Sequence, residues 1–130
     1  MSAFAIAHLR PAAAHPDIAE YVERIQATMA PFGGRFRVHN AQVEVVEGDW
    51  PGFVVVIEFP GLDEARAWYA SPAYQEILPL RTRHIQGDLV LVPGVAPDYD
   101  ATATPADRRD TAQDAARNDH RRGRIRTTSN

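Results

Sequence analysis

The stretch Phe53 to Phe59 is apolar at every position except Glu58. Side chains alternate between the two faces of a strand, so a strand here is apolar on both. Around it the pattern changes period several times. Phe4 to Leu9 predicts a short first strand, with Phe4, Ile6 and His8 on one face and Ala5, Ala7 and Leu9 on the other. Ile18, Val22, Ile25, Met29 and Phe32 then recur at helical spacing. Pro16 suits the first helical position, and Gly33-Gly34 ends the run.

Arg35 to Glu47 alternates as a second strand, interrupted at His39-Asn40-Ala41, where a bulge or bend is expected. The segment EGDWPG turns the chain into Phe53–Phe59, and Pro60-Gly61 ends that strand. Leu62, Ala65, Trp68 and Tyr69 predict a second helix, while Ser71-Pro72 reads as a cap and first position of a further helix to Leu78. Asp88 to Val92 is the last strand. The order strand, helix, strand, strand, helix, strand predicts an α+β fold, a ferredoxin-like βαββαβ sandwich with an antiparallel sheet and both helices on one face.

Two helices cover one face of such a sheet and leave the other bare. That other face is also apolar in three of the strands, and leaving it wet forfeits about 1.5–3 kcal/mol per large side chain. A second copy packed sheet to sheet is the economical solution, so a homodimer, a dimeric α/β barrel, is expected.

Composition narrows the rest. The 130 residues fit one domain, read as residues 1–95, followed by a tail from 96 to 130 that is poor in large apolar residues and expected to be flexible. All basic residues are arginine, which excludes lysine Schiff-base chemistry, and the absence of cysteine excludes thiolate ligands and nucleophiles. A net charge of −3 gives no reason to expect nucleic acid. The chain lacks a signal-peptide pattern or a membrane-length apolar run, so a soluble cytoplasmic protein is expected. The locally basic HRRGRIR from His120 reads as solvated tail.

The segments GGRFRVHN, VEVVEGDWPG, VVIEFPGLDEARAWYASPAYQEILPLR and GDLVLVPG together resemble the domain-of-unknown-function family DUF1330, of the dimeric α/β-barrel superfamily. The resemblance runs from about Phe4 to Gly94 and leaves out the tail. It implies the ferredoxin-like subunit and the face-to-face dimer, with Arg or His at His39 and Gly at the position of Asn40. Superfamily relatives include cofactor-free monooxygenases of aromatic polyketides, lactone isomerases and haem-binding peroxidase-like proteins. Their ligands sit between sheet and helices.

Glu58 is the sharpest chemical candidate, because a carboxylate in an apolar strand needs a partner, a wet position or a role as general base with a raised pKa. His39 can move a proton near neutral pH, or can be a hydrogen-bonded structural group. His8 lies with Phe4 and Ile6, lining either a pocket or an interface. Trp68, Tyr69 and Tyr74 with Arg81 form a second group, a pocket wall with a cation for a carboxylate or enolate; the plainer reading pairs Arg81 with Glu76 or Glu58. Neither a metal motif, a phosphate loop nor a nucleophile elbow is present, and no cofactor is expected. These readings converge on a protein that binds or converts a hydrophobic oxygenated small molecule by proton transfer. The alternative is a non-catalytic dimeric binding module with an arginine-rich tail.

Overall fold

The computed structural model describes residues 1–102 of the chain. The chain divides into a unit Met1–Val95 and a unit from Ala96 onward, each described by itself. In the second unit, Tyr99 N–H donates to the Ala96 carbonyl, and the Asp100 carboxylate accepts from the Thr102 backbone and hydroxyl. The rest of the expected flexible tail, including HRRGRIR, lies outside the described residues.

The first unit runs β1 (Ala3–Leu9), α1 (Pro16–Met29), a 3-10 turn (Ala30–Phe32), β2 (Arg35–Gln42), β3 (Phe53–Phe59), α2 (Leu62–Ala70), α3 (Pro72–Thr82) and β4 (Gly87–Pro93). The strands form one antiparallel sheet in the order β2-β3-β1-β4. This is the ferredoxin-like arrangement that the pattern predicts.

Alternation along β1 and β3 decides what each face does. Ala3, Ala5, Ala7 and Leu9, with Val55, Ile57 and Phe59, are buried under the helices. Against them pack Tyr21, Ile25 and Met29 of α1, Ala65 and Trp68 of α2, and Tyr74 and Ile77 of α3. The small alanines of β1 leave room above the sheet that larger residues would fill. Phe4, Ile6, Val54, Val56, Val90 and Val92 stand on the opposite face, joined by the register Phe4–Val92 and Val56–Ile6–Val90. Val90 is 54% exposed.

Several boundaries differ from the sequence reading. The second strand stops at Gln42, not Glu47: Gln42 pairs with Phe53, the first residue of β3, so Val43 onward has no strand to pair with. The register of β2 slips around Arg37 and around Asn40, at the expected interruption. Asn40 has φ 56, a left-handed conformation that Asn tolerates better than most residues.

The last helix runs beyond Leu78 to Thr82, with Pro79 inside it. Ser71 caps it by accepting the Tyr74 N–H at 3.2 Å, and the buried side chains of Ile77 and Arg81 on either side of the proline hold its line. Helix α1 is rotated from expectation. Its buried stripe is Tyr21, Ile25, Thr28 and Met29, whereas Val22 is 40% exposed. Thr28 is tolerated because its hydroxyl donates to the Ile25 carbonyl at 2.6 Å and accepts from Trp68 Nε1 at 3.0 Å.

Candidate functional site

A cavity of about 250 Å³ opens between the sheet and the helices. Ala5, Ala7, Val55 and Ile57 form its floor, and Ile18, Val22 and Ile25 of α1 its wall. The exposed segment Ala12–Ala14 lies at its rim. Ile18, Val22 and Ile25 of the expected α1 stripe therefore border the cavity, while Met29 packs in the core.

Arg81, Tyr21, Tyr74 and Trp68 line this cavity together. Arg81 is only 8% exposed, and its Cζ sits 5.5 Å from the Tyr21 ring centre. The Tyr21 and Tyr74 hydroxyls share a hydrogen bond of 2.7 Å. Trp68 packs on Tyr74 with ring centres 4.2 Å apart. The cap at Ser71 sets the phase of α3, and one phase brings Tyr74, Ile77 and Arg81 to the same buried side. Tyr21, the partner hydroxyl from α1, is the member that sequence reasoning missed. Its signal was a tyrosine one position before the recognised stripe.

The electrostatics are unusual in one respect. Neither of the expected partners of Arg81 reaches it: Glu76 pairs with Arg24 at 3.1 Å, and Glu58 with Arg37 at 3.1 Å. No carboxylate among the described residues lines the cavity. Burial works against the charge on Arg81, but the phenol oxygens of Tyr21 and Tyr74 outweigh it and hold its pKa above the ordinary arginine value. Burial, with Tyr74 beside it, pushes Tyr21 far above the usual phenol range despite the opposing charge of Arg81. The Tyr21 hydroxyl is thus a neutral hydrogen-bonding group beside a fixed cation.

His39 stands at the cavity edge on β2, stacked on Phe36 with ring centres 4.0 Å apart. Partial burial lowers its pKa below the ordinary histidine value. It is therefore neutral at pH 7 and able to accept a proton. Tyr69 is 37% exposed and lines a neighbouring groove with Arg81, Gln86 and Leu89, outside the main cavity.

Two further candidates are on the other side of the sheet. Glu58 shares its face with Phe4 and Val56, and its carboxylate accepts the Ser2 hydroxyl at 2.5 Å. The Ser2 hydrogen bond, then Arg37 and Arg35, hold its pKa below the usual carboxylate value against partial burial. The expectation of a raised pKa in a pocket is corrected accordingly: alternation puts Glu58 opposite the helices, where two arginines of the edge strand reach it. His8 also faces away from the cavity, its Nε2 2.8 Å from the Pro51 carbonyl and its ring stacked on Trp50.

One cluster was invisible in the sequence because its members are far apart. His15 and Asp17 at the start of α1 meet His84 after α3, with ligand-type atoms of all three within 4.8 Å of one another. Two histidines and a carboxylate suit a divalent cation. The two imidazoles, however, are stacked 3.7 Å apart and only 22° from parallel, so their lone pairs run side by side and do not converge. His15 Nδ1 also accepts the Asp17 N–H at 3.0 Å. The arrangement is a clasp. His84 Nε2 lies 2.9 Å from Asp17 Oδ2 and ties the start of α1 to the turn before β4, next to the cavity residues Ala14 and Ile85.

The His84 hydrogen bond, followed by the charges of His15, His84 and Arg83, lowers the pKa of Asp17, with burial opposing. A carboxylate with a depressed folded-state pKa stabilises above its unfolded value, and the effect is lost as pH falls through the folded value. Asp17→Asn is therefore expected to lower Tm at pH 7 and to leave it unchanged once pH is well below about 4. Thermal unfolding at both pH values checks this, and an equal loss at both would contradict the clasp.

No curated protein matches the chain in sequence. In structure it is similar to RPA0582 of Rhodopseudomonas palustris, a protein of unknown function. That match has TM-score 0.57 and 21% identity and covers 74% of this chain and 84% of that one. The methylated form of RPA0582 gives TM-score 0.58 at 20% identity, covering 75% and 84%. SnoaB of Streptomyces nogalater, a cofactor-independent oxygenase, gives TM-score 0.52 at 13% identity, covering 76% and 98%. At such identities the likeness concerns the fold. The sequence of residues 2–95 itself matches the domain of unknown function DUF1330, and the protein is a member of that family.

Proposed function

We propose that the protein binds a small, hydrophobic, oxygenated molecule in the cavity and moves a proton on it without a resident cofactor. The observation that carries this reading is Arg81, a buried guanidinium facing a largely apolar cavity that no carboxylate of the described residues lines. Leaving such a charge without a counter-charge is costly, and a ligand oxygen in the cavity supplies the missing acceptor. A 150 Å³ cavity accommodates benzene. By proportion, about 250 Å³ suits roughly ten non-hydrogen atoms, one substituted ring or a fused pair.

In this reading Arg81 holds the oxygen on which negative charge develops, and Trp68 and Tyr74 form the wall. His39, neutral at the rim, takes the proton. SnoaB shows that the fold can host cofactor-independent oxygenation. Fold does not fix function, so the weight rests on the cavity.

The test is exchange of the acidic C–H protons of 2-tetralone for deuterium, followed by proton NMR. The protein is expected to accelerate exchange by about 10²-fold over buffer, and His39→Ala or Arg81→Met to lose most of that gain. Because the His39 pKa is depressed, the fall in rate on acidification is centred below pH 6.5, the ordinary histidine value. No acceleration, or acceleration unchanged in both variants, would sink the reading.

We also propose that the open sheet face, Phe4, Ile6, Val54, Val56, Val90 and Val92, pairs with a second copy, making a homodimer. Six adjoining apolar side chains without a helix layer support this. Glu58 with Arg35 and Arg37 then forms the polar margin of the interface. Val56→Arg is expected to turn a dimer into a folded monomer in sedimentation velocity. A variant that sediments as the wild type does would argue against this face.

A further inference from the structure

The polar end of the cavity fixes more than the presence of an oxygen. Five of its lining residues carry a titratable side chain: Arg10, Tyr21, His39, Tyr74 and Arg81. Arg10 is already neutralised by Asp88 at 2.7 Å. Tyr21 is held as the neutral phenol, and Arg81 has no carboxylate partner among the described residues. The cavity therefore carries one uncompensated positive charge.

The hydroxyl pair adds a second constraint, from counting protons. Tyr21 and Tyr74 hold two O–H protons between them, and their mutual hydrogen bond uses one. Whichever hydroxyl donates, the other keeps a proton with no further acceptor among the described residues. A buried donor of this kind is as costly to leave unmade as a buried acceptor. Arg81 and the spare phenol proton stand together in a largely apolar space. Both are donors, and both are satisfied by an acceptor that bears a full negative charge.

We infer that the cavity selects a monoanion of about ten non-hydrogen atoms, an apolar ring bearing one ionised oxygen acid such as a carboxylate or an enolate, held by Arg81 and by one hydroxyl of the Tyr21–Tyr74 pair. This rests on the reading of the cavity as a ligand site and adds the charge class of the ligand and Tyr21 as a binding residue. A neutral alcohol or ketone of the same size leaves the guanidinium uncompensated and binds more weakly; a ketone such as 2-tetralone gains the full contact with Arg81 only as its enolate forms. An amide isostere is worse, because its N–H₂ meets donors with donors.

The pair 4-methylbenzoate and 4-methylbenzamide, matched in size and shape, tests this by isothermal titration calorimetry of the full chain at pH 7. The wild type is expected to bind the benzoate at least about tenfold more tightly. Arg81→Met is expected to abolish the preference, and Tyr21→Phe to weaken the benzoate severalfold while leaving the benzamide unchanged. Circular dichroism shows whether each variant is folded, and the wild-type comparison stands without any variant. Equal affinity for both compounds would overturn the monoanion class and leave the cavity reading intact. Binding of neither would overturn both. Selective benzoate binding without 2-tetralone exchange would keep this inference and remove the proton-transfer reading.

Discussion

The strand β3 must bury apolar side chains on two faces, and the rest of the molecule is arranged by that demand. Val55, Ile57 and Phe59 look toward the helices; Val54 and Val56 look the other way. A subunit of this length has helices enough for one layer. The covered face becomes core and cavity, and the uncovered face remains an apolar surface with a charged margin at Glu58. Alternation along β1 and β3 puts Glu58 and His8 on the open sheet, while the slip in β2 brings His39 to the helix side with Phe36, three residues earlier.

The cavity follows from a mismatch of sizes. The face of β1 under the helices is alanine at three positions, while the helices above contribute Tyr21, Tyr74 and Trp68, large rings that bridge across without filling the space. Ring stacking and the Thr28–Trp68 hydrogen bond fix the wall. Arg81 is then held by its place in α3, one turn beyond Ile77, and is largely buried. A largely buried guanidinium is costly without an acceptor, and that acceptor is what the proposed ligand supplies.

Much of this was legible in the sequence, and what was not has physical causes. Period-two and helical spacing were enough for the order of elements, the faces of β1 and the split in β2. They overran β2 because alternation in Val43–Glu47 looks the same with or without a partner strand. They stopped α3 early because Pro79 breaks an isolated helix but not one anchored by Ile77 and Arg81. Arg81, Trp68 and Tyr74 could be grouped by closeness along the chain. Tyr21 could not, since its role depends on a hydroxyl that approaches across the core from another helix. The His15–Asp17–His84 clasp was hidden for the same reason. The side of the sheet that Glu58 occupies needed the register with Phe4 and Arg35, which the pattern of a single strand cannot supply.

The central claim is that both faces of the sheet are used, one for a ligand cavity and one for a second copy of the chain. Native mass spectrometry of the full chain tests this most directly. The account predicts the mass of two chains at micromolar concentration. A monomer there would contradict it, because the apolar face of Phe4, Ile6, Val56 and Val90 would then have to stay in water.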